Sequence, residues 1–156
     1  MVSLSSHGVY SIGPFTNTGA MPPRAEAATQ YTIMLAAKNG SNELADATVT
    51  MALPAYVTWT GVVSNGDTMS YNPTSREVTW QIGALAANRA NDAAFQVSLL
   101  PSISQVGTVP ALVSVQSLRA TDRFTGTVVR ESADAVTTHL PDDPDPDAQV
   151  GRIMPK

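Results

Sequence analysis

Apolar and polar residues alternate with a period of two along much of this chain, as in strands with one face in a core and the other in water. The clearest run is 77–83, EVTWQIG, where Val78, Trp80 and Ile82 fall on one side and Thr79 and Gln81 on the other. Residues 93–100 repeat the pattern, with Phe95, Val97 and Leu99 set against Gln96 and Ser98. Tyr31, Ile33 and Leu35 form a third set, alternating with Thr32 and Met34. Further strands are predicted at 9–12, 47–53, 57–60, 69–71, 112–120, 124–130 and 135–139. Helical spacing is nearly missing, and the one helix-like stretch, LAANRAND at 85–92, ends in Asn and Asp and reads as a loop.

Turn chemistry separates these runs. Asn39-Gly40, Asn65-Gly66-Asp67 and Asn72-Pro73-Thr74-Ser75 are short, polar and rich in residues that accept left-handed or fixed-φ backbone. About eight to ten short strands at this spacing predict an all-β fold, an immunoglobulin-like antiparallel β-sandwich. No repeat of 20–50 residues is visible, so one module is expected rather than an array. The reading divides the chain into an N-terminal strand or arm at 1–18, the sandwich at 19–141 and a Pro/Asp-rich tail at 142–156. The tail combines prolines with aspartates and is expected to be an extended spacer that buries nothing.

Composition narrows the function. The chain has 156 residues, 43% of them hydrophobic, which suits one domain with its own core. Only 14% are charged, so Thr, Ser, Asn and Gln must cover the surface, as in secreted β-proteins. The net charge is -4, and four of the 13 acidic residues are Asp142, Asp143, Asp145 and Asp147. No basic patch stands out in either half, and nucleic acid is set aside as a partner. The absence of cysteine removes disulfides, thiolate zinc sites and cysteine nucleophiles together. No run of about 18 apolar residues is present for a membrane span. The first residues lack the charged and apolar regions of an export signal, so any signal or anchor is expected outside this chain.

Several phrases in order resemble a known family. Tyr31-Thr32-Ile33 is followed by Asn39-Gly40-Ser41-Asn42, Ala47-Thr48-Val49-Thr50, Leu53-Pro54 and Val57-Thr58-Trp59-Thr60. Then come Tyr71-Asn72-Pro73, the 77–83 run and Phe95-Gln96-Val97-Ser98-Leu99. Together these resemble the Ig-like conserved repeat domain of bacterial cell-wall and envelope surface proteins. Residues 105–108, 122–127 and 137–141 look like its C-terminal form. The segment after Leu85 departs from the family by lacking its Pro-Gly loop. The resemblance implies a non-catalytic extracellular structural module (stalk, spacer or assembly domain) at a bacterial cell surface. Its partners would be other surface-protein domains or further copies joined through edge strands. The alternative is an adhesin-type binding module for glycan or protein.

Candidate chemistry is sparse. His7 and His139 are the only near-neutral acid–base groups, and they are expected on the surface near opposite ends of the domain. No Gly-x-Ser-x-Gly element is present, so the chain is read as a non-enzyme. Asp142, Asp143, Asp145 and Asp147 invite calcium, since carboxylate oxygens are its ligands. The prolines hold them apart, however, so a solvated spacer is favoured and no cofactor is expected. Lys38 ends an apolar strand beside Asn39, where a buried lysine would suit an intramolecular cross-link; a solvated lysine at a turn is the plainer reading. Trp80 and Trp59 are expected in the core. That leaves Tyr56 and Tyr71 as the aromatic surface for a glycan.

Overall fold

The computed structural model describes residues 2–40, 42–64 and 68–156. They form β1 (Val2–Val9), β2 (Thr29–Asn39), β3 (Leu44–Ala52), β4 (Val57–Val63), β5 (Met69–Asn72) and β6 (Glu77–Leu85). The remaining strands are β7 (Arg89–Leu99), β8 (Ala111–Val113), β9 (Gln116–Asp122), β10 (Val128–Ala133) and β11 (Val136–Thr137). One sheet has the order β1-β2-β7-β4, the second has β10-β9-β3-β6-β5, and β11 pairs with β8 as a small ribbon. The pairings are antiparallel throughout. The chain is thus an all-β, immunoglobulin-like sandwich.

The alternating residues supply the core. Tyr31, Ile33 and Leu35 of β2 and Phe95, Val97 and Leu99 of β7 meet Val49 and Met51 of β3, Val78 and Trp80 of β6, and Leu118 and Ala120 of β9. Asn72 makes the turn before β6, its Oδ1 accepting from the backbone N–H of Thr74 and Ser75. Arg76 follows at φ 59. Its guanidinium donates to the carbonyls of Leu53, Pro54 and Val57, tying that turn to the β3–β4 connection. The turn expected at Asn65-Gly66-Asp67 lies outside the described residues.

Local expectation and structure part in four places. The strand expected at 112–120 is two, because β8 pairs with β11 while β9 joins β3 and β10 in the second sheet. Residues 124–127 turn rather than extend, and β10 begins at Val128. The first strand is β1, which ends where residues 9–12 were expected to begin one. It lies on the sheet edge of its own domain, registered from Val2 opposite Asn39 to Val9 opposite Thr32. The loop expected at 85–92 shrinks to residues 86–88, which carry the chain from the end of β6 in one sheet to the start of β7 in the other. Asn88 takes φ 58 there, and the Asn39 amide donates to the carbonyls of Leu85 and Ala86, fixing the arch.

Residues 10–28 wrap the outer face of the first sheet. This explains why Thr32 and Gln96, polar residues on the side away from the core, are buried; Thr29, on the same face as Tyr31, is buried with its hydroxyl donating to the Ala20 carbonyl. Gln96 Nε2 donates to the Thr16 carbonyl and to Asn17 Oδ1, and its Oε1 accepts from Thr60. Asn17 in turn donates to the Tyr10 carbonyl and to Thr32. Every buried polar group in this layer has a partner, as burial demands.

The tail is the largest correction. Residues expected to bury nothing form a short helix, α1 (Pro146–Val150), and return to the body of the molecule. Ala148 and Ile153 belong to the hydrophobic core together with Leu140. Met154 forms a parallel bridge with Arg24. Prolines and aspartates set the local turns; two apolar side chains, Ala148 and Ile153, provide the burial.

Candidate functional site

The sandwich is open along two sides, where edge strands of the two sheets face each other. On one side β4 and β5 are the edges, and Trp59 of β4 stacks on Tyr71 of β5 with ring centroids 5.5 Å apart and planes 12° from parallel. Trp59 also lies 5.3 Å from the Phe95 ring. Trp59 is therefore half-buried at the mouth of the core, and one face of the Tyr71 ring is covered by the indole. Tyr56, in the connection before β4, is half-buried against the core. Burial raises its pKa against the opposing effect of a hydrogen bond with the Ala111 backbone. The two tyrosines named from sequence thus serve packing on at least one face each.

Lys38 lies inside β2, opposite Ser3 on β1 and Ala90 on β7, with its side chain exposed. The buried environment that a cross-linking lysine requires is absent there, because alternation turns Ala37 and Asn39 inward and Lys38 out.

Asp143 is the tail's working residue. It is 1% exposed, and Oδ2 accepts from the backbone N–H of Tyr10 at 2.6 Å and of Ser11 at 2.8 Å. Its Oδ1 accepts from the Ser11 hydroxyl and from Asp145 N–H at 2.9 Å. Burial by itself raises the carboxyl pKa, but the hydrogen bonds from Ser11, Asp145 and Tyr10 prevail and hold it below the ordinary value. Asp145 caps α1 through the N–H of Asp147, with Pro146 at the first helical position. The four aspartates named for calcium are divided in this way. Asp143 and Asp145 give their oxygens to backbone N–H groups, while Asp142 and Asp147 are exposed. Among the described residues no group of three or more His, Cys, Asp or Glu is arranged to hold a metal ion.

His7 and His139 were expected far apart. They flank one shallow cleft, because β1 packs against β11 and the segment that follows it. His139 Nδ1 meets the Gln149 carbonyl. Among the described residues no hydrogen bond joins either imidazole to a serine or a carboxylate.

One feature went unread in the sequence. Arg119 on β9 and Arg130 on β10 stand directly opposite each other on the outer face of the second sheet. The signal was present in their equal distance from the 124–125 turn, but extending the second strand to Phe124 hid the hairpin's register.

No protein-family model matches the sequence, and no curated protein matches it. Solved structures do. Full-length SpaD, a major pilin of Corynebacterium diphtheriae, matches with a TM-score of 0.53 at 12% identity over 88% of this chain and 34% of that one. A variant of BcpA, the major pilin subunit of Bacillus cereus, gives 0.51 at 12% identity over 88% and 40%. An exo-β-N-acetylglucosaminidase of Vibrio harveyi gives 0.46 at 15% identity over 87% of this chain and 18% of that one, a value too low to carry an argument. The chain spans well under half of each of these proteins. The two pilins share its Ig-like fold; at such identity the likeness concerns fold alone.

Proposed function

We propose that this chain is a non-catalytic structural module, a stalk, spacer or assembly domain, of a bacterial surface protein that acts outside the cell. The observation that carries the reading is the placement of its two ends. Val2 sits opposite Asn39 at one end of β2, while Met154 bridges Arg24 and Glu26 bonds to Pro101, close to the opposite end where Thr29 pairs with Leu99. Tension applied across the module would run along the strands and shear β1 against β2 over its whole register, so the hydrogen bonds of that pair would share the load. An 11-residue strand spans roughly 35 Å, which is the reach such a unit adds in series. The fold shared with pilin domains and the Thr- and Ser-rich, low-charge surface support the same reading. Among the described residues no helix is long and apolar enough to cross a membrane.

Single-molecule stretching between residues 2 and 156 tests it. A load-bearing module ruptures in one cooperative event, at a force well above that of the same domain pulled between residues 2 and 39, where β1 and β2 unzip. Equal forces in the two geometries overturn the proposal.

A further inference from the structure

The outer face of the second sheet carries an arrangement the load-bearing reading does not use. Arg119 and Arg130 are register partners on adjacent antiparallel strands, so their side chains leave the same face side by side. Like charges placed directly opposite one another destabilise a strand pair. Among the described residues the ion pairs are Arg123 with Glu43 and Lys156 with Glu26, and neither opposed arginine takes part in a hydrogen bond or ion pair. Asp46, at the bulge of β3, and Glu131, next to Arg130 in β10, border the same area, and among the described residues neither forms an ion pair with either guanidinium.

The surroundings are shaped and carry hydroxyl groups. A shallow hollow of about 930 Å³ lies over β3, β9 and β10, and Thr48, Thr50, Ser117 and Ser132 surround the two arginines. Register places Thr48 beside Arg119, and places Thr50, Ser117 and Ser132 in a row one step along the strands. Two guanidiniums in parallel present planar forks that match a carboxylate. Adjacent hydroxyls donate to and accept from other hydroxyls. The backbone beneath β9 is paired on both sides, with β10 and with β3, and offers no edge for a peptide strand.

We infer that this face binds a carboxylate-bearing oligosaccharide, with Arg119 and Arg130 holding one carboxylate between them and the threonine and serine hydroxyls contacting the neighbouring sugar hydroxyls. The ligand's negative charge replaces the repulsion with two charge-assisted contacts. The site is independent of the stalk reading and lies apart from Tyr56 and Tyr71.

The test is titration of the full chain with an oligogalacturonate at low salt, followed by amide NMR and by thermal melting. Expected are shifts centred on β9 and β10, a melting temperature raised by a few degrees, and affinity that weakens on adding salt. R119Q/R130Q should lose at least tenfold in affinity, while its own melting temperature without ligand rises because the opposed charges are gone. That rise separates loss of binding from loss of fold. The inference is overturned if oligogalacturonate does not bind at millimolar concentration, if the double variant binds it equally well, or if its methyl ester binds as tightly as the acid. Tighter binding of a polyglutamate peptide of matched charge overturns the sugar assignment and with it the inference.

Discussion

Tyr31 carries its hydroxyl into the core, fully buried, with no hydrogen-bond partner. A buried polar group left in that state costs free energy that a methine hydrogen in its place does not. Tyr31→Phe is therefore expected to stabilise the domain, by about 1 kcal/mol, measured by urea unfolding at pH 7. The same burial, reinforced by the neighbouring Tyr10, raises the phenol pKa far above its usual value. A group whose pKa is raised on folding contributes stability that is complete below its unfolded value and lost as pH climbs through the folded one. The wild-type protein should thus lose stability above about pH 10, and Tyr31→Phe should lose less. Asp143 has the opposite sign. Its depressed pKa stabilises the fold at neutral pH, and that stability falls away as pH drops below about 4. Asp143→Ala should cost about 1–3 kcal/mol at pH 7 by stranding the N–H groups of Tyr10, Ser11 and Asp145. Its unfolding midpoint should then vary less with pH in the acid range than the wild-type midpoint does. Neither residue stood out by type, since a tyrosine in a strand and an aspartate beside proline are ordinary. Their meaning comes from contacts with residues 21 and 132 positions away.

At the scale of elements, the strands were legible wherever one face meets the core and the other meets water. The runs at 31–35, 77–83 and 93–100 lie within β2, β6 and β7, because period-two burial is a local property that the sequence records directly. Their ends were harder to read. Three residues suffice for the β6–β7 arch because Asn88 accepts a left-handed conformation and Asn39 reaches across to bond the carbonyls before it. Asn88→Gly should be neutral or stabilising by up to about 1 kcal/mol, and Asn88→Val should destabilise, since a β-branched residue resists positive φ. Urea midpoints would rank the three. The Trp59–Tyr71 stack is also an element-level device, joining the exposed edges of two sheets at one mouth of the core. Trp59→Ala should cost about 2–3 kcal/mol. Trp59→Phe should recover much of that, a contrast that chemical denaturation would resolve.

For the whole molecule, the decisive feature is the return of the tail. Ile153 and Ala148 complete a corner of the core beneath Leu140, Asp143 anchors residues 10 and 11, and Met154 pairs with Arg24. Removing residues 142–156 should therefore destabilise the domain severely, and Ile153→Ala alone by about 2–4 kcal/mol. A spacer would leave the unfolding midpoint unchanged on truncation. Composition misjudged this segment because Pro and Asp dominate its average, whereas burial depends on two apolar side chains, Ala148 and Ile153, arriving at a hollow that distant strands leave open.

The sequence by itself determined the class of fold, the core faces of its main strands and the polar turns between several of them, since each follows from the order of neighbouring residues. Tertiary structure alone decided where the chain changes sheets, which polar residues are buried beneath residues 10–28, and that His7 and His139 share a cleft. Those are relations between positions remote along the chain, set by strand order, register and packing, and no local pattern encodes them.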